Sequence, residues 1–145
     1  MTIRCEIVSQ DRTVFTGDVD IVVLPGASGE MGILPKHAPV LTALKYGIIK
    51  VRKGGKEEIF TVAGGIAEVQ PDIVTVLADA AENVLEIDIA RADAARVRAE
   101  EALAKGLPVD NDAYLAMEAA LRKSNLRLEA VRRYGKNIRS PYSEQ

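Results

Sequence analysis

Near Ala80 the hydrophobic period of this chain changes from two residues to between three and four, so one type of secondary structure cannot serve both halves. Before that point apolar residues alternate with polar ones. In IRCEIVS, Ile3, Cys5 and Ile7 share one side of a strand. VFTGDVDIVVLP reads as two short strands broken at Gly17, and GEMGIL, VLTAL, GIIKVRK, EEIFTV, IAEVQ and IVTVLAD follow. Turn signals separate them: PGASG, PKHAP, KGGK, GG and QPD. Gly54 and Gly55 predict a tight hairpin between GIIKVRK and EEIFTV. Eight to ten short strands with no helix-length segment between them predict a β-sandwich or flattened barrel and argue against a parallel α/β sheet. With 4% aromatic residues and no Trp, the core must be made of Val, Ile, Leu and Ala.

From residue 85 the composition is alanine-rich and charged. Ile89, Ala92, Ala95, Ala99 and Ala102 recur at helical spacing, Asp88 is placed as an N-cap, and Gly106 and Pro108 as the stop. A second helix is expected after Asp110 or Asn111, with Tyr114, Met117, Leu121, Ser124, Leu128 and Val131 as its stripe and Gly135 at its end; NIRSPYSEQ reads as a loose tail. The expected organisation is therefore a β-sandwich over residues 1–84 and an antiparallel two-helix hairpin over 85–145. An alanine stripe buries little area, and polar Ser124 interrupts the other helix, so docking of the hairpin on the sandwich should be marginal. The alternative is a hairpin packed there permanently.

The functional classes narrow by elimination. A formal charge of −2 argues against general nucleic-acid binding. Cys5 is the only cysteine, so there is no internal disulfide and no cysteine-based metal cluster. His37, in PKHAP, is the only histidine and reads as structural. There is no phosphate loop, no nucleophile elbow around Ser28, and no dinucleotide loop at Gly64–Gly65. No apolar run is long enough to span a membrane, and MTIRCEIVSQDR lacks a signal-peptide centre, which leads to the expectation of an intracellular chain. From Arg122 to Arg139 seven basic residues accompany one acid, Glu129: a solvated basic face, or a surface for an acidic protein. A non-catalytic protein remains, either a subunit or regulator of an assembly or a small-ligand-binding module.

Two segments carry a specific resemblance. GEMGILPKHAPVLTALKYGIIKV and FTVAGGIAEVQPDIVTVLADAA, with their G-x-x-G-I-L-P-x-H-A-P and A-G-G-I-A-E-V cores, resemble the epsilon-subunit family of the ATP synthase catalytic sector, in family order from Ile3 to about Val131. The resemblance implies a sandwich of about ten strands followed by a helical hairpin. It implies a non-catalytic rotor subunit in the central stalk, coupling proton flow to ATP synthesis, peripheral to the cytoplasmic face of a bacterial plasma membrane, with a thylakoid host as second choice. The implied partners are the gamma subunit and the c-subunit ring, met by the sandwich, with Glu30, Met31 and His37 on the loop that faces the ring. The alpha and beta subunits are further partners, an acidic segment of beta meeting Arg122, Arg132 and Arg133 when the hairpin extends and inhibits hydrolysis. No cofactor is required.

In some bacterial members the compact hairpin binds ATP through I/L-D-x-x-R-A, which Ile87, Asp88, Arg91 and Ala92 match here, with Glu82 at a further position of the pattern. Arg91 and Arg98 lie seven residues apart, within about 20° on a helix, and Lys123 and Arg127 lie four apart. An antiparallel hairpin brings those two pairs together. Lys123 stands where ATP-binding members carry Arg, so it keeps the charge but loses the planar fork. The competing reading makes Asp88 only a cap and gives Arg91 and Arg98 surface ion pairs. A stand-alone nucleotide-binding module is the alternative function.

Overall fold

The computed structural model describes residues 1–106 and 111–135; Pro108 of the expected helix stop, Asp110 and the C-terminal tail lie outside them. The chain divides into two compact units, Met1–Asn83 and Val84–Gln145.

The first unit contains ten strands, the β-sandwich expected from the period of two. They are β1 (Ile3–Val8), β2 (Thr13–Val19), β3 (Ile21–Gly26), β4 (Gly29–Ile33), β5 (Val40–Leu44), β6 (Gly47–Lys53), β7 (Lys56–Val62), β8 (Gly65–Val69), β9 (Ile73–Ala78) and β10 (Ala81–Asn83). One continuous ladder runs β10-β7-β6-β3-β5-β8-β9-β1-β2, with β4 on the side of β3. A single register pair, Gly26 with Leu44, joins β3 to β5, so the sheet turns over there. Ala27 N–H to Ala43 C=O and Lys45 N–H to Pro25 C=O, at 2.8 and 3.1 Å, fasten that corner. All pairs are antiparallel except β1 with β9.

Alternation decides what lies between the layers. Ile3, Cys5 and Ile7 point inward from β1, Val74 and Val76 from β9, Ile49 and Val51 from β6, and Phe60 and Val62 from β7. Phe15 of β2 meets Phe60 edge-on at 5.5 Å, tying the last strand of the ladder to the opposite layer. Burial pushes the Cys5 thiol up to about 12, with Glu6 adding to the effect, so this cysteine is a packing residue and not a nucleophile at neutral pH.

The turns follow their residue types. Gly54 and Gly55 take φ +56° and +78°, the two left-handed positions of a tight hairpin, and β6 pairs with β7 from Gly47–Val62 to Lys53–Lys56 as the sequence predicts. The predicted break at Gly17 does not occur. β2 runs through Gly17, which pairs with Cys5, and the chain bends at Asp20 instead. Asp20 is held there because its N–H donates to Arg52 C=O at 2.7 Å and its carboxylate accepts from Gly54 N–H at 2.9 Å.

The second unit begins with a 3₁₀ turn, Val84–Glu86, followed by α1 (Ile89–Ala104), α2 (Asn111–Ala130) and a π turn, Val131–Gly135. α1 packs along α2, and the 3₁₀ turn contacts the π turn. Small residues form the buried stripes: Ala92 and Ala99 on α1, Ser124 and Ala130 on α2. Ser124 does not interrupt its face as expected. It is 3% exposed, and its hydroxyl donates to Ala120 C=O one turn back at 2.9 Å, so it packs as a small residue. Ile89 and Tyr114, both assigned to the inner stripes, are 45% exposed. Ala113 takes the half-buried position on α2, in step with Met117 and Leu121, while the Tyr114 hydroxyl is held by Glu118 one turn on, which raises its pKa.

Gly65 fixes the β8–β9 approach. At φ +134°, a Cβ there would stand 2.3 Å from Leu77 O and 2.8 Å from the Ala78 Cα. Gly65→Ala should therefore destabilise the sandwich by roughly 2–4 kcal/mol, read as a lower urea midpoint at unchanged slope.

Candidate functional site

Seven of the eight residues expected at a nucleotide site belong to the helical unit; Glu82 lies on β10, paired with Thr61 of β7. Asp88 is the N-cap of α1, as expected. Its backbone is extended (φ −85°, ψ 108°) and its Oδ1 accepts from the backbone N–H of Arg91 at 3.1 Å. That hydrogen bond uses the peptide of Arg91 and leaves the guanidinium out of the cap. Ile87 and Ala92 are buried on either side of Asp88, which anchors the start of the helix.

Arg91 and Arg98 are exposed, and neither has a carboxylate within 4.0 Å among the described residues. The surface pairing weighed for them belongs to Arg96. Arg96 donates to Asp93 at 2.8 and 3.1 Å and to Glu100 at 2.8 Å, and these hydrogen bonds, Asp93 first, raise its pKa. The cause is spacing, since Arg96 has an acid three residues before it and another four after. That spacing is legible in the sequence.

Helical phase sets where the other cations stand. Arg91 and Arg98 each precede a buried alanine by one residue, about 100° around the helix. Lys123 precedes buried Ser124 by one residue; Arg127 follows it by three, which places it about 60° to the same side. With the buried stripes as the contact face, equal offsets on two antiparallel helices fall on one flank of the pair. Arg91, Arg98, Lys123 and Arg127 therefore form one cationic edge along the hairpin, suited to a polyanion. Lys123 is exposed and Arg127 half-buried.

The basic run behaves differently. Arg132 and Arg133 sit 3.8 and 4.0 Å from Glu129, and Arg133 lies 5.6 Å from the ring centre of Tyr134. Both arginines remain exposed, as does Arg122; Lys136 and Arg139 lie outside the described residues.

On the sandwich, Glu30 is exposed, whereas Met31 and His37, expected beside it on a ring-facing loop, are half-buried. Met31 packs against the core because β4 pairs it with Leu24, and the half-buried His37 places Nδ1 2.7 Å from Ala38 O. Leu34, in the same stretch, is 57% exposed, and further apolar surface lies on other strands. Leu41 of β5, Ile66 of β8 and Leu77 of β9 are 69, 43 and 50% exposed. Register puts Ala43, Ile66, Leu77 and Val8 in one row across four strands of the outer face. The outward positions of IAEVQ and IVTVLAD carried this signal, since Ile66 and Leu77 fall out of phase with the core residues beside them. Among the described residues no group of three metal-ligating side chains gathers, and no helix is long and apolar enough to cross a membrane.

Comparison with known proteins accounts for both units. Residues 2–84 match the family model "ATP synthase, Delta/Epsilon chain, beta-sandwich domain", and residues 86–132 match its "long alpha-helix domain". The chain is 54% identical over 104 residues to an ATP synthase epsilon chain of Pelotomaculum thermopropionicum, covering 72% of this chain and 78% of that one. It is 45% identical over 135 residues to the ATP synthase epsilon chain of Dehalococcoides mccartyi strain CBDB1, covering 93 and 96%. Among solved structures, a chain of the Euglena gracilis mitochondrial ATP synthase (OSCP/F1/c-ring, rotational state 1) superposes with a TM-score of 0.70 at 28% identity, covering 90% of this chain and 81% of that one. This chain belongs to the ATP synthase delta/epsilon family.

The cap has a measurable consequence. Asp88→Ala should cost about 1 kcal/mol of helical-unit stability, seen as a lower melting midpoint by circular dichroism at 222 nm, whereas Asp88→Asn should cost less than half of that.

Proposed function

We propose that this member of the ATP synthase delta/epsilon family is the epsilon-type subunit of the central stalk: a non-catalytic rotor component that docks through its sandwich and regulates hydrolysis through its helical hairpin. The observation that carries the docking role is the apolar row on the outer face of the sandwich. Ile66 and Leu77 are exposed there among strands whose inner faces are already filled, and such a surface on a soluble fold marks an interface. Its occupant is the gamma subunit. Glu30, on the exposed edge strand β4, is the contact toward the c-subunit ring; Met31 and His37 act behind it as packing. Through that assembly the chain is peripheral to a membrane, at its cytoplasmic face in a bacterial cell, and couples proton flow to ATP synthesis.

The regulatory part rests on the cationic edge of the hairpin and on the basic run that begins at Arg122. ATP bound along Arg91, Arg98, Lys123 and Arg127 would hold the hairpin compact. A ligand that binds one state alone stabilises it by RT ln(1 + [L]/Kd), about 2.7 kcal/mol at a hundredfold excess over Kd. In the extended state, Arg122, Arg132 and Arg133 meet the acidic segment of beta and restrain the catalytic sector. Exposed contacts of this kind are individually weak and salt-screened, but together they bias a two-state element.

The cationic edge and the basic run predict opposite effects in the assembled enzyme. Replacing Arg122, Arg132 and Arg133 together by Ala should raise ATP hydrolysis at low ATP severalfold, by loss of the extended state's contacts. The Asp88→Ala, Arg91→Ala double variant should lower hydrolysis at millimolar ATP, by loss of the compact state's ligand. Identical ATPase rates in all three enzymes, with assembly verified, would rule out a regulatory hairpin.

A further inference from the structure

The sheet that folds over at Gly26 and Leu44 does not close into a barrel. Among the described residues β2 pairs with β1 alone, leaving its other edge without a strand, and β10 covers β7 only from Phe60 to Val62. Between β2 and the far end of the β6–β7 hairpin lies a cavity of about 360 Å³. Its floor is apolar: Phe15 and Val19 of β2, Val51 of β6, and the bare backbone of Gly17. Gly17 points the same way as Phe15 and Val19, and a Cβ there would stand 3.3 Å from the Phe15 ring. The Phe15 ring therefore lies against the Gly17 backbone, and both line the floor, where a side chain at 17 would push the ring into the cavity.

The mouth is charged in an unusual way. Lys53 and Lys56 stand directly opposite each other across the hairpin, on the side of Val51, and both line the cavity. Like charges facing across a ladder are unfavourable. On the other side of the same hairpin the facing pair is Arg52 and Glu57, which form a salt bridge. Among the described residues neither lysine has a carboxylate within 4.0 Å. Glu58 also lines the mouth, nearer the floor beside Val51, and Asp18, the remaining acid, faces Arg4 at 3.7 Å. The two lysines stand at the hairpin tip, with Glu58 two positions further in on the same face.

We infer that this seam is a binding site for a single-chain anionic amphiphile, an alkyl chain bearing a carboxylate. The chain lies on Phe15, Val19 and Val51 over Gly17, and the carboxylate bridges Lys53 and Lys56, relieving their repulsion. The volume falls within the range of small-molecule sites, and an apolar floor with a few polar groups at one end is their usual form. The site lies wholly within Met1–Asn83, so it stands independently of any regulatory role of the hairpin.

Decanoate, below its micelle concentration, is the probe, titrated into the full chain with calorimetry and with chemical shifts of the Phe15 and Val51 side chains. One-to-one saturable binding is expected, with both side chains shifting. Lys53→Ala with Lys56→Ala should weaken it by about tenfold or more, the loss of a charge-assisted contact. Decanol, which lacks the charge, should bind the wild type no better than decanoate binds that variant. Gly17→Val, which fills the cavity with a residue that favours strands, should abolish binding; Val51→Phe serves in its place if Gly17→Val does not fold. Absence of saturation, equal affinity for decanol and decanoate, or binding that survives filling of the cavity would each overturn the assignment.

Discussion

The fold depends on one corner. Among the described residues, register between Gly26 and Leu44 is the one ladder pair joining the half of the sheet that ends in β10 to the half that ends in β2. Turning the sheet there sets inner faces against each other, and alternation then fills the space between with Val, Ile, Leu and Phe60. It also leaves an outer face free of core duty. Ile66 and Leu77 can be apolar there without a packing role, which makes that face available to a partner. The same turn leaves the two ends of the ladder near each other but unpaired, and the cavity over Gly17 results.

The helical unit is built on a different principle. Its buried stripes are Ala92, Ala99, Ser124 and Ala130, which remove little apolar surface from water. Its entry is set by the Asp88 cap and the buried Ile87. Small contact residues need little repacking if the helices are to adopt a second arrangement, and the exposed cations keep either arrangement soluble. The sandwich is packed through branched aliphatic side chains and the hairpin through small ones, the division that the proposed docking and regulatory roles draw on.

Most of the sandwich was legible because alternation and glycine turns are local signals. IRCEIVS and the KGGK hairpin are direct examples. Gly17 misled because glycine weakens strand propensity, whereas here its partner across the ladder, Cys5, holds it extended. The site was harder to read. Asp88 was visible as a cap, because capping depends on neighbours three residues away. The competing reading gives ion pairs to Arg91 and Arg98, whereas explicit spacing to Asp93 and Glu100 singles out Arg96. Met31 was read as exposed because loop glycines surround it, but pairing with Leu24 turns it onto the core. The lysine pair above the cavity could be paired by the hairpin register, but the cavity itself depends on how the two sheet ends meet, which no local pattern encodes.

The central claim is that docking belongs to the sandwich and not to the hairpin, and truncation after Val84 tests it most directly. The measurement is the affinity of the truncated chain for purified gamma subunit beside that of the full chain, with a strand-type circular dichroism spectrum as proof of folding. Affinities within a few-fold of each other are the expected result. A truncated chain that folds yet fails to bind gamma would contradict the claim and move the docking surface to the helices.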